Sequence, residues 1–338
     1  MIDPLTDFYE EHECSPALPR KPKLSICIPT YDRASHLVKA IESVLVQSHQ
    51  DYELIIVDNA STDSTQTVVQ SFDSPFIRNC RFATLVSAYA NHNRCVRLAR
   101  SPWVVFIHSD DTFPRHFLAC VESAIESNPA ADLLSPPLFD SIQRGLLKLG
   151  ENSALDAMMY SIAMGGHSPS GAIYRRSSFK QYGFFREESI YADTIILCEW
   201  VRKGGRFALF NPPAPVYSIS DVSLTNTIDR NHSRREFCLI VEEVMRLTQI
   251  GELKKNIQSF CKSHPHEGIL ILQRMFDAGF KDVALELLQA AKEIDTIRNS
   301  KLYRRQVPMT RASKILSWPA YRFTRTTASL RKRIKPYC

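Results

Sequence analysis

The most informative part of the sequence is Val105-Phe106-Ile107-His108-Ser109-Asp110-Asp111, because an apolar strand ends there at two adjacent carboxylates. In an α/β sheet, ligands bind at the carboxyl ends of the strands. Asp110 and Asp111 are therefore positioned to hold a cation together with its anionic partner. The alternative is a solvated Asp-Asp turn that caps a helix starting near Pro114, and the surrounding sequence decides between the two.

Apolar strands alternate with helical segments along the first 140 residues. The strands are predicted at 24–28, 53–57, near 80–85, 103–107 and near 132–138. The intervening helices are predicted at about 34–47, after the turn at 58–62 as far as about 72, at 89–100 and at 115–127. Strands that are apolar on both faces and are joined by helices favour a mostly parallel, doubly wound sheet. The predicted fold class is α/β, with a C-terminal helical extension.

The chain of 338 residues, 44% of them hydrophobic, is long enough for one large domain with an appendage. We predict four regions: an N-terminal extension at 1–20, the α/β domain at 21–228, a helical region at 229–295 and a basic amphipathic tail at 296–338. No apolar run reaches the roughly 18 residues that cross a bilayer, and residues 1–20 lack the pattern of a signal peptide. We therefore expect a cytoplasmic protein.

The positive charge of the chain is concentrated near its C-terminal end. The net charge is +6, from 42 Lys and Arg against 36 Asp and Glu. Residues 296–338 hold twelve of the basic residues and no acidic one, so residues 1–295 carry about −6. Apolar residues such as Trp318 and Phe323 lie between the basic ones, a mixture that suits an anionic membrane surface. We expect the tail to hold the protein at the inner face of the membrane. A solvated or disordered tail is the alternative, and nothing in the rest of the chain supports nucleic-acid binding.

Nine cysteines are scattered through the sequence, at positions 14, 27, 80, 95, 120, 198, 238, 261 and 338. Their odd number and the absence of any C-x-x-C spacing argue against a zinc cage and against a disulfide framework. We expect most of them to be reduced thiols, several of them in the core.

The first glycine of the chain is Gly145. A dinucleotide-binding fold needs G-x-G-x-x-G at its first strand-helix turn, and a P-loop needs G-x-x-x-x-G-K-[ST], because the backbone must approach phosphate closely. Neither motif can occur in the first 144 residues, which also argues against a nucleotidyltransferase. A nucleotide on this sheet must be bound by side chains, with a metal ion to neutralise its diphosphate.

Three strand ends carry polar motifs. Residues 28–33 read I-P-T-Y-D-R, residues 57–63 read V-D-N-A-S-T-D, and the strand at 103–107 leads into Asp110-Asp111. This ordered set resembles the inverting family-2 glycosyltransferases of the GT-A fold, whose segments read like P-T-Y-N-R, V-D-D/N-G-S-T-D-G-T and D-x-D-D. The resemblance covers about 23–225. It implies a GT-A-like fold and the transfer of a sugar from a nucleotide diphosphate-sugar, a UDP-sugar, to a glycan or a lipid-linked acceptor.

The resemblance also implies how the donor is bound. Thr30 and Tyr31 would line the nucleoside pocket, and Asp58 would accept a hydrogen bond from a ring N–H of the base. Asn93 falls where the family often has an asparagine ahead of its metal-binding motif. The full donor-binding set is Pro29, Thr30, Tyr31, Arg33, Asp58, Asn59, Asn93, Ser109, Asp110 and Asp111.

By the same resemblance, Asp110 would bind Mn²⁺ or Mg²⁺ across the two phosphates, because the departing diphosphate needs a positive partner. His108 stands where the first acidic residue of the family's motif normally lies, and it is the second candidate ligand. Imidazole binds Mn²⁺ but suits Mg²⁺ poorly, so this departure shifts the expected metal preference. A third ligand is unassigned, with Asp221 as the candidate.

Asp193 follows Tyr191-Ala192 and opens a helix predicted over 193–203, at the position of the family's E-D motif. Inverting transfer is one in-line displacement, in which a carboxylate takes the proton of the acceptor hydroxyl. The resemblance implies that Asp193 is this base, and the alternative is that it only caps the helix. The functional alternative to a transferase is a GT-A-like protein that binds nucleotide or glycan without turnover.

Overall fold

A computed structural model describes residues 12–14, 21–136, 150–152, 168–212, 257–259, 261–262, 265–277 and 281–290. Within these ranges, the chain forms one sheet with helices packed on both faces. The predicted tail at 296–338 and the candidate third ligand Asp221 lie outside the described residues. Among the described helices, none combines the length and the apolar character needed to cross a membrane.

The described strands make a nine-stranded sheet with the order β1-β4-β3-β2-β5-β8-β6-β9-β7. Their bounds are β1 His12–Cys14, β2 Leu24–Thr30, β3 Tyr52–Asp58, β4 Ile77–Phe82, β5 Trp103–Phe106, β6 Leu133–Ser135, β7 Gly150–Asn152, β8 Ile173–Arg175 and β9 Phe207–Leu209. The four central strands β4, β3, β2 and β5 are parallel to one another. The strand β8 then pairs antiparallel with β5, which reverses the direction of the sheet.

The described helices cover both faces of this sheet. Their bounds are α1 Ala34–Leu45, α2 Thr65–Gln70, α3 Ala88–Leu98, α4 Phe117–Ser127, α5 Arg176–Tyr182, α6 Ala192–Arg202, α7 Pro265–Asp277 and α8 Lys281–Ala290. Helices α1 and α4 pack on one face, and α3 and α6 pack on the other. The helices α7 and α8 pack against each other, in agreement with the helical pattern of that region.

Successive side chains of the central strands point to opposite faces of the sheet, so a hydrophobic core forms on each face. In β2, Ile26 and Ile28 face the layer of α1 and α4, whereas Cys27 faces the layer of α3 and α6, and all three side chains are fully buried. Each buried Ile contributes about 1.5–3 kcal/mol relative to leaving it exposed. Because both faces are covered, the strands read as continuous apolar runs. The predicted doubly wound α/β fold is confirmed.

The cysteines follow the sequence expectation in part. Five described cysteines are free thiols, and Cys27, Cys95, Cys198 and Cys261 among them are buried. Cys14 and Cys80, however, form a disulfide between β1 and β4, which the sequence analysis did not anticipate. The pair comes together because β1 adds antiparallel to β4 with Cys14 directly opposite Cys80. Spacing along the chain cannot reveal such a cross-strand neighbour.

Candidate active site

The polar strand ends singled out in the sequence lie at one edge of the sheet. Thr30 and Asp58 are directly opposite each other at the ends of the parallel strands β2 and β3. The strand β5 runs parallel to β2 on its other side, and Ile107 continues it with a hydrogen bond to the carbonyl of Cys27. The turn that follows carries Asp110. The carboxyl ends of three neighbouring strands therefore meet at this edge, as the sequence predicted.

Asp58 is a fully buried carboxylate held by two hydrogen bonds and one ion pair. Its Oδ1 accepts from the backbone N–H of Ser61 at 3.0 Å, and its Oδ2 accepts from Nε2 of Gln66 at 2.6 Å. Nε of Arg81 lies 3.8 Å from Oδ2, and the Arg81 side chain is half exposed. Gln66 and Arg81 were missed in the sequence, because a helix α2 residue and a β4 residue meet β3 only in the folded sheet.

The two loops that follow β2 and β3 are locked together by Asp32. Its Oδ1 accepts hydrogen bonds from the backbone N–H groups of Thr62 at 2.7 Å and Asp63 at 3.2 Å. Its own N–H donates to Oγ of Ser61 at 2.9 Å. Asp32 has a φ of +46° and Ala60 a φ of +62°, a left-handed backbone that costs roughly 1–2 kcal/mol without glycine. These loops form a rigid wall of the site.

The first of these loops presents the nucleoside-binding candidates of β2. The hydroxyl of Thr30 is buried and makes no hydrogen bond within the described part of the chain. The ring of Tyr31 is 42% exposed, and the neighbouring Asp32 carboxylate raises the pKa of its hydroxyl. Pro29 lies within β2 opposite Val57, and the N–H of Arg33 donates to Oγ1 of Thr65 at 3.2 Å. Thr30 and Tyr31 are thus available to a ligand.

Asn59 has its side chain engaged inside the protein. Its Oδ1 accepts from the N–H of Val86 at 3.0 Å and from Nη1 of Arg94 at 2.8 Å, and its Nδ2 donates to the carbonyl of Val86 at 2.8 Å. The buried guanidinium of Arg94 also lies over the ring of Phe82 at 4.1 Å. This amide therefore supports the wall of the site, and its expected contact with the donor stays a prediction.

Asn93 is engaged in the same way on the other side of α3. Its Nδ2 donates to the carbonyl of Phe185 and to Oε1 of Glu187, both at 2.9 Å, and its Oδ1 accepts from the N–H of Phe185 at 3.1 Å. Asn93 thereby links α3 to the segment that precedes α6. The structure thus gives Asn93 a positioning contact, and its predicted contact with the donor is untested.

The turn after β5 holds a candidate metal site. His108, Asp110 and Asp111 each offer one ligand atom, and these atoms all lie within 4.8 Å of one another. Nδ1 of His108 is 3.7 Å from Oδ2 of Asp111, and the N–H of Asp111 donates to the carbonyl of His108 at 3.0 Å. Two carboxylates and one imidazole are ligands that suit Mn²⁺. Ser109 is buried within the same turn.

Asp193 lies in the first turn of α6, but it does not cap the helix. The N-cap position belongs to Tyr191, and no side chain makes a capping hydrogen bond there. Oδ1 of Asp193 accepts from the N–H of Thr194 at 2.6 Å, and the carboxylate also accepts from the hydroxyl of Tyr89. Burial raises the pKa of Asp193 to about 7, because desolvation of the charged form outweighs these hydrogen bonds.

The N-terminal half of α3 connects Asp193 with the turn at 108–111. Tyr89, which donates to Asp193, stacks near His92 with ring centroids 5.1 Å apart, and the ring of His92 meets that of His108 at 5.7 Å. Burial lowers the pKa of His92 to about 3, so this imidazole is neutral at pH 7. Asn91 of the same helix donates to the carbonyl of Val57 at 3.0 Å, next to Asp58.

The residues that sequence reasoning missed are therefore mainly those of α3. Tyr89 and His92 belong to a helix whose apolar spacing gives no sign of a site, and only the folded structure brings them into contact with Asp193 and His108. Three residues of α3 contact these segments: Asn91 the carbonyl of Val57, which precedes Asp58, His92 the ring of His108, and Tyr89 the carboxylate of Asp193.

Comparisons with known proteins show which family and which fold this chain is similar to. A family model described as Glycosyl transferase family 2 matches residues 25–183. The succinoglycan biosynthesis protein ExoO of Rhizobium meliloti is 24% identical over 231 residues, which make up 64% of this chain and 66% of ExoO. The chain spans only 29% to 66% of the length of the first curated relatives that it matches.

Two solved structures share the fold. The fragment 1–349 of S. aureus TarS in complex with UDP-GlcNAc matches with a TM-score of 0.60 and 19% identity, over 84% of this chain and 92% of the fragment. The mannosyltransferase PcManGT from Pyrobaculum calidifontis in complex with GDP-Man and Mn²⁺ matches with a TM-score of 0.56 and 18% identity, over 95% of this chain and 84% of PcManGT. The predicted GT-A-like architecture is thereby confirmed.

Proposed function

We propose that the chain, whose residues 25–183 match the model of glycosyl transferase family 2, is a metal-dependent, inverting glycosyltransferase. It transfers a hexose-type sugar from a nucleotide diphosphate-sugar, a UDP-sugar, to a glycan or a lipid-linked acceptor. The proposal is supported by two observations: Asp58 and the turn at 108–111 follow strands that both flank β2 in parallel, and α3 contacts both that turn and Asp193. A general base, an acidic metal site and a buried carboxylate are the groups that this reaction needs at one edge of a sheet.

The donor nucleotide is bound by the loops after β2 and β3. The exposed ring of Tyr31 offers a stacking surface for the base, and the buried hydroxyl of Thr30 offers a hydrogen bond to it or to the ribose. Asp58, fixed by two hydrogen bonds and an ion pair, accepts from a ring N–H of the base. The complexes of TarS with UDP-GlcNAc and of PcManGT with GDP-Man support a nucleotide-sugar as the ligand class.

The turn at 108–111 would hold Mn²⁺ or Mg²⁺ through Asp110, with His108 as a further ligand and Asp111 beside them. The cation, when bound, supplies the positive charge that stabilises the departing nucleoside diphosphate. Asp111 is 4% exposed and is tied to the backbone of His108, so the turn is preorganised. The Mn²⁺ in the PcManGT complex supports this assignment.

Asp193 acts as the general base. The acceptor hydroxyl oxygen forms the new bond to the anomeric carbon, the bond from that carbon to the diphosphate oxygen breaks, and the hydroxyl proton goes to Asp193. A base works best when its pKa is near the working pH, and burial brings the pKa of Asp193 to about 7. Tyr89 donates to the carboxylate and so fixes its orientation, which makes Tyr89 a positioning residue.

The acceptor is envelope or capsular polysaccharide material at a membrane. ExoO is named as a succinoglycan biosynthesis protein, and the similarity to it supports a role in polysaccharide assembly. The basic tail at 296–338 would hold the enzyme at the inner face of the membrane, where a lipid-linked acceptor is presented. Deletion of 296–338 tests this part, because sedimentation with anionic liposomes should then fall while donor binding is retained. Unchanged sedimentation would remove the tail from this role.

The transferase itself is tested with the purified full chain and Mn²⁺ against a panel of UDP-, GDP- and dTDP-sugars. We expect hydrolysis or transfer with one UDP-sugar, and an anomeric configuration in the product opposite to that of the donor. Nucleotide affinity without turnover toward any acceptor would select the non-catalytic alternative. An absence of both affinity and turnover across the panel would contradict the proposal.

A further inference from the structure

A second polar cleft lies at the opposite edge of the sheet. Its volume is about 170 Å³, and it is lined by Lys21, Arg100, Ser101, Pro102, Arg175, Arg176 and Ser177. The strands β2 and β5 begin here, since Leu24 pairs with Trp103 and Trp103 pairs with Arg175. The seven residues of β2, at about 3.3 Å each, separate this cleft from Thr30 by roughly 20 Å. The cleft is therefore distinct from the donor site.

The lining of the cleft is strongly positive. It contains four cationic side chains and no carboxylate. Two carboxylates approach from outside the lining: Oε2 of Glu53 lies 3.0 Å from Nε of Arg100, and Oδ1 of Asp132 lies 4.0 Å from Nε of Arg175. Lys21 is exposed at the mouth. An anion entering the cleft therefore meets cations on several sides.

The guanidinium groups are held in place by neutral backbone carbonyls. Arg175 donates to the carbonyls of Ala131 at 3.0 Å and Pro129 at 2.6 Å, and its guanidinium lies 4.2 Å from the ring centre of Trp103. Arg176 donates to the carbonyls of Val96 at 3.1 Å and Arg97 at 3.2 Å. A carbonyl orients a guanidinium without neutralising it. These side chains lose little conformational freedom when an anion binds.

Ser101 adds an independent observation that points to a ligand. Its side chain is 1% exposed, and its Oγ makes no hydrogen bond with any described residue. Its backbone N–H, by contrast, donates to Oγ of Ser25 at 3.1 Å. Buried hydroxyls in folded proteins almost always have a partner, and one without a partner calls for an explanation. Ser101 lines the cleft, so a ligand bound there is the candidate for this partner.

We propose that this cleft is a binding site for a phosphate group with two negative charges, either a phosphomonoester or inorganic phosphate. Arginine forks match the oxygens of phosphate, and a phosphate presents enough acceptor oxygens for several arginines, a lysine and a serine hydroxyl together. Two sources share this chemistry, namely free phosphate and the phosphomonoester headgroup of a membrane lipid. The site does not depend on the proposed transferase activity.

The test is calorimetric titration of the full chain with inorganic phosphate, against sodium chloride at equal ionic strength. We expect saturable binding by the unchanged protein. Ser101→Ala should weaken it about tenfold, since a hydrogen bond to a charged group is lost. This variant should fold normally, because its hydroxyl has no partner in the described chain. Lys21→Gln should also weaken binding, whereas Lys39→Gln, an exposed lysine of α1, should not.

A vesicle experiment distinguishes the two sources. Sedimentation is measured with phosphatidylcholine vesicles that contain phosphatidic acid, using the unchanged protein, Ser101→Ala and Lys21→Gln. If a lipid headgroup occupies the cleft, both variants should sediment less, while the tail contributes equally in all three. Equal sedimentation together with weakened phosphate titration assigns free phosphate. Absence of saturable phosphate binding, or equal affinity in Ser101→Ala, would overturn the proposal.

Discussion

The two edges of the central sheet carry opposite charge on the same strands. At the carboxyl edge, Asp58, Asp110 and Asp111 follow the ends of β3 and β5, whereas at the amino edge four cationic side chains line the cleft that contains Ser101. A diphosphate can approach the acidic edge only with a cation between them, but a phosphate can approach the basic edge directly. The charge of each edge thus indicates what it binds.

The two edges also share one feature, a buried hydroxyl that makes no hydrogen bond in the described chain. At the carboxyl edge it belongs to Thr30, and at the amino edge to Ser101. Thr30 belongs to the proposed nucleoside site, and Ser101 lines the proposed phosphate site. The predictions below separate the two edges, beginning with the largest expected effect.

Asp193→Asn should reduce turnover by about 10²–10⁴-fold, because the amide cannot accept the proton of the acceptor hydroxyl. Steady-state kinetics with the donor identified in the sugar panel measure this. Donor affinity should be unchanged, and Asp73→Asn, an exposed residue after α2, is the matched control. If the Asp193 variant keeps full turnover, the carboxyl edge has a different base.

Asp110→Asn should weaken Mn²⁺-dependent donor binding by at least about tenfold, since even indirect partners of a metal are worth 10–100-fold. His108→Asp should instead raise activity with Mg²⁺ relative to Mn²⁺, because a carboxylate suits Mg²⁺ better than imidazole does. Titration of each variant with both metals provides the measurement. An unchanged metal preference in His108→Asp would exclude imidazole from the site.

Thr30→Val and Ser101→Ala form a pair that compares the edges directly. Thr30→Val should weaken UDP binding about tenfold and leave phosphate binding intact, while Ser101→Ala should do the reverse. Neither change removes a hydrogen bond of the described chain, so both proteins should keep their thermal stability. A variant that weakened both ligands would show that the two edges are coupled rather than independent.

The pH profile of turnover should rise through about pH 7 to a plateau, because Asp193 must be ionised to act as a base and burial raises its pKa to about 7. Tyr89 donates to the charged carboxylate and so lowers this pKa. Tyr89→Phe should move the midpoint upward by about half a unit to one unit. Single-turnover rates against pH measure it, and an unmoved midpoint would leave Tyr89 with a packing role alone.

Much of the carboxyl edge could be predicted from the sequence. Thr30, Asp58 and Asp110 follow apolar runs, and parallel strands bring such ends together whatever the details of packing. The roles of individual polar side chains could not be predicted. Asn59 and Asn93 are predicted at the ligand, and that prediction stands untested; the sequence did not indicate that their amides also bind Val86, Arg94, Phe185 and Glu187. An amide binds whichever partner the fold brings near it.

The amino edge could not have been found from the sequence at all. Arg100 and Arg175 are 75 positions apart, and only the antiparallel pairing of β8 with β5 brings them to one cleft. The same holds for Cys14 and Cys80, which meet through one antiparallel register.

Hydrophobic spacing and residues close together in the chain are enough to predict the succession of strands and helices, their parallel core and the acidic ends of three strands. Which side chains share a site depends on tertiary packing: α3 links Asp193 to the turn at 108–111, and β8 completes the basic cleft. Such contacts depend on the positions at which packed helices and strands meet, and local composition does not specify those positions.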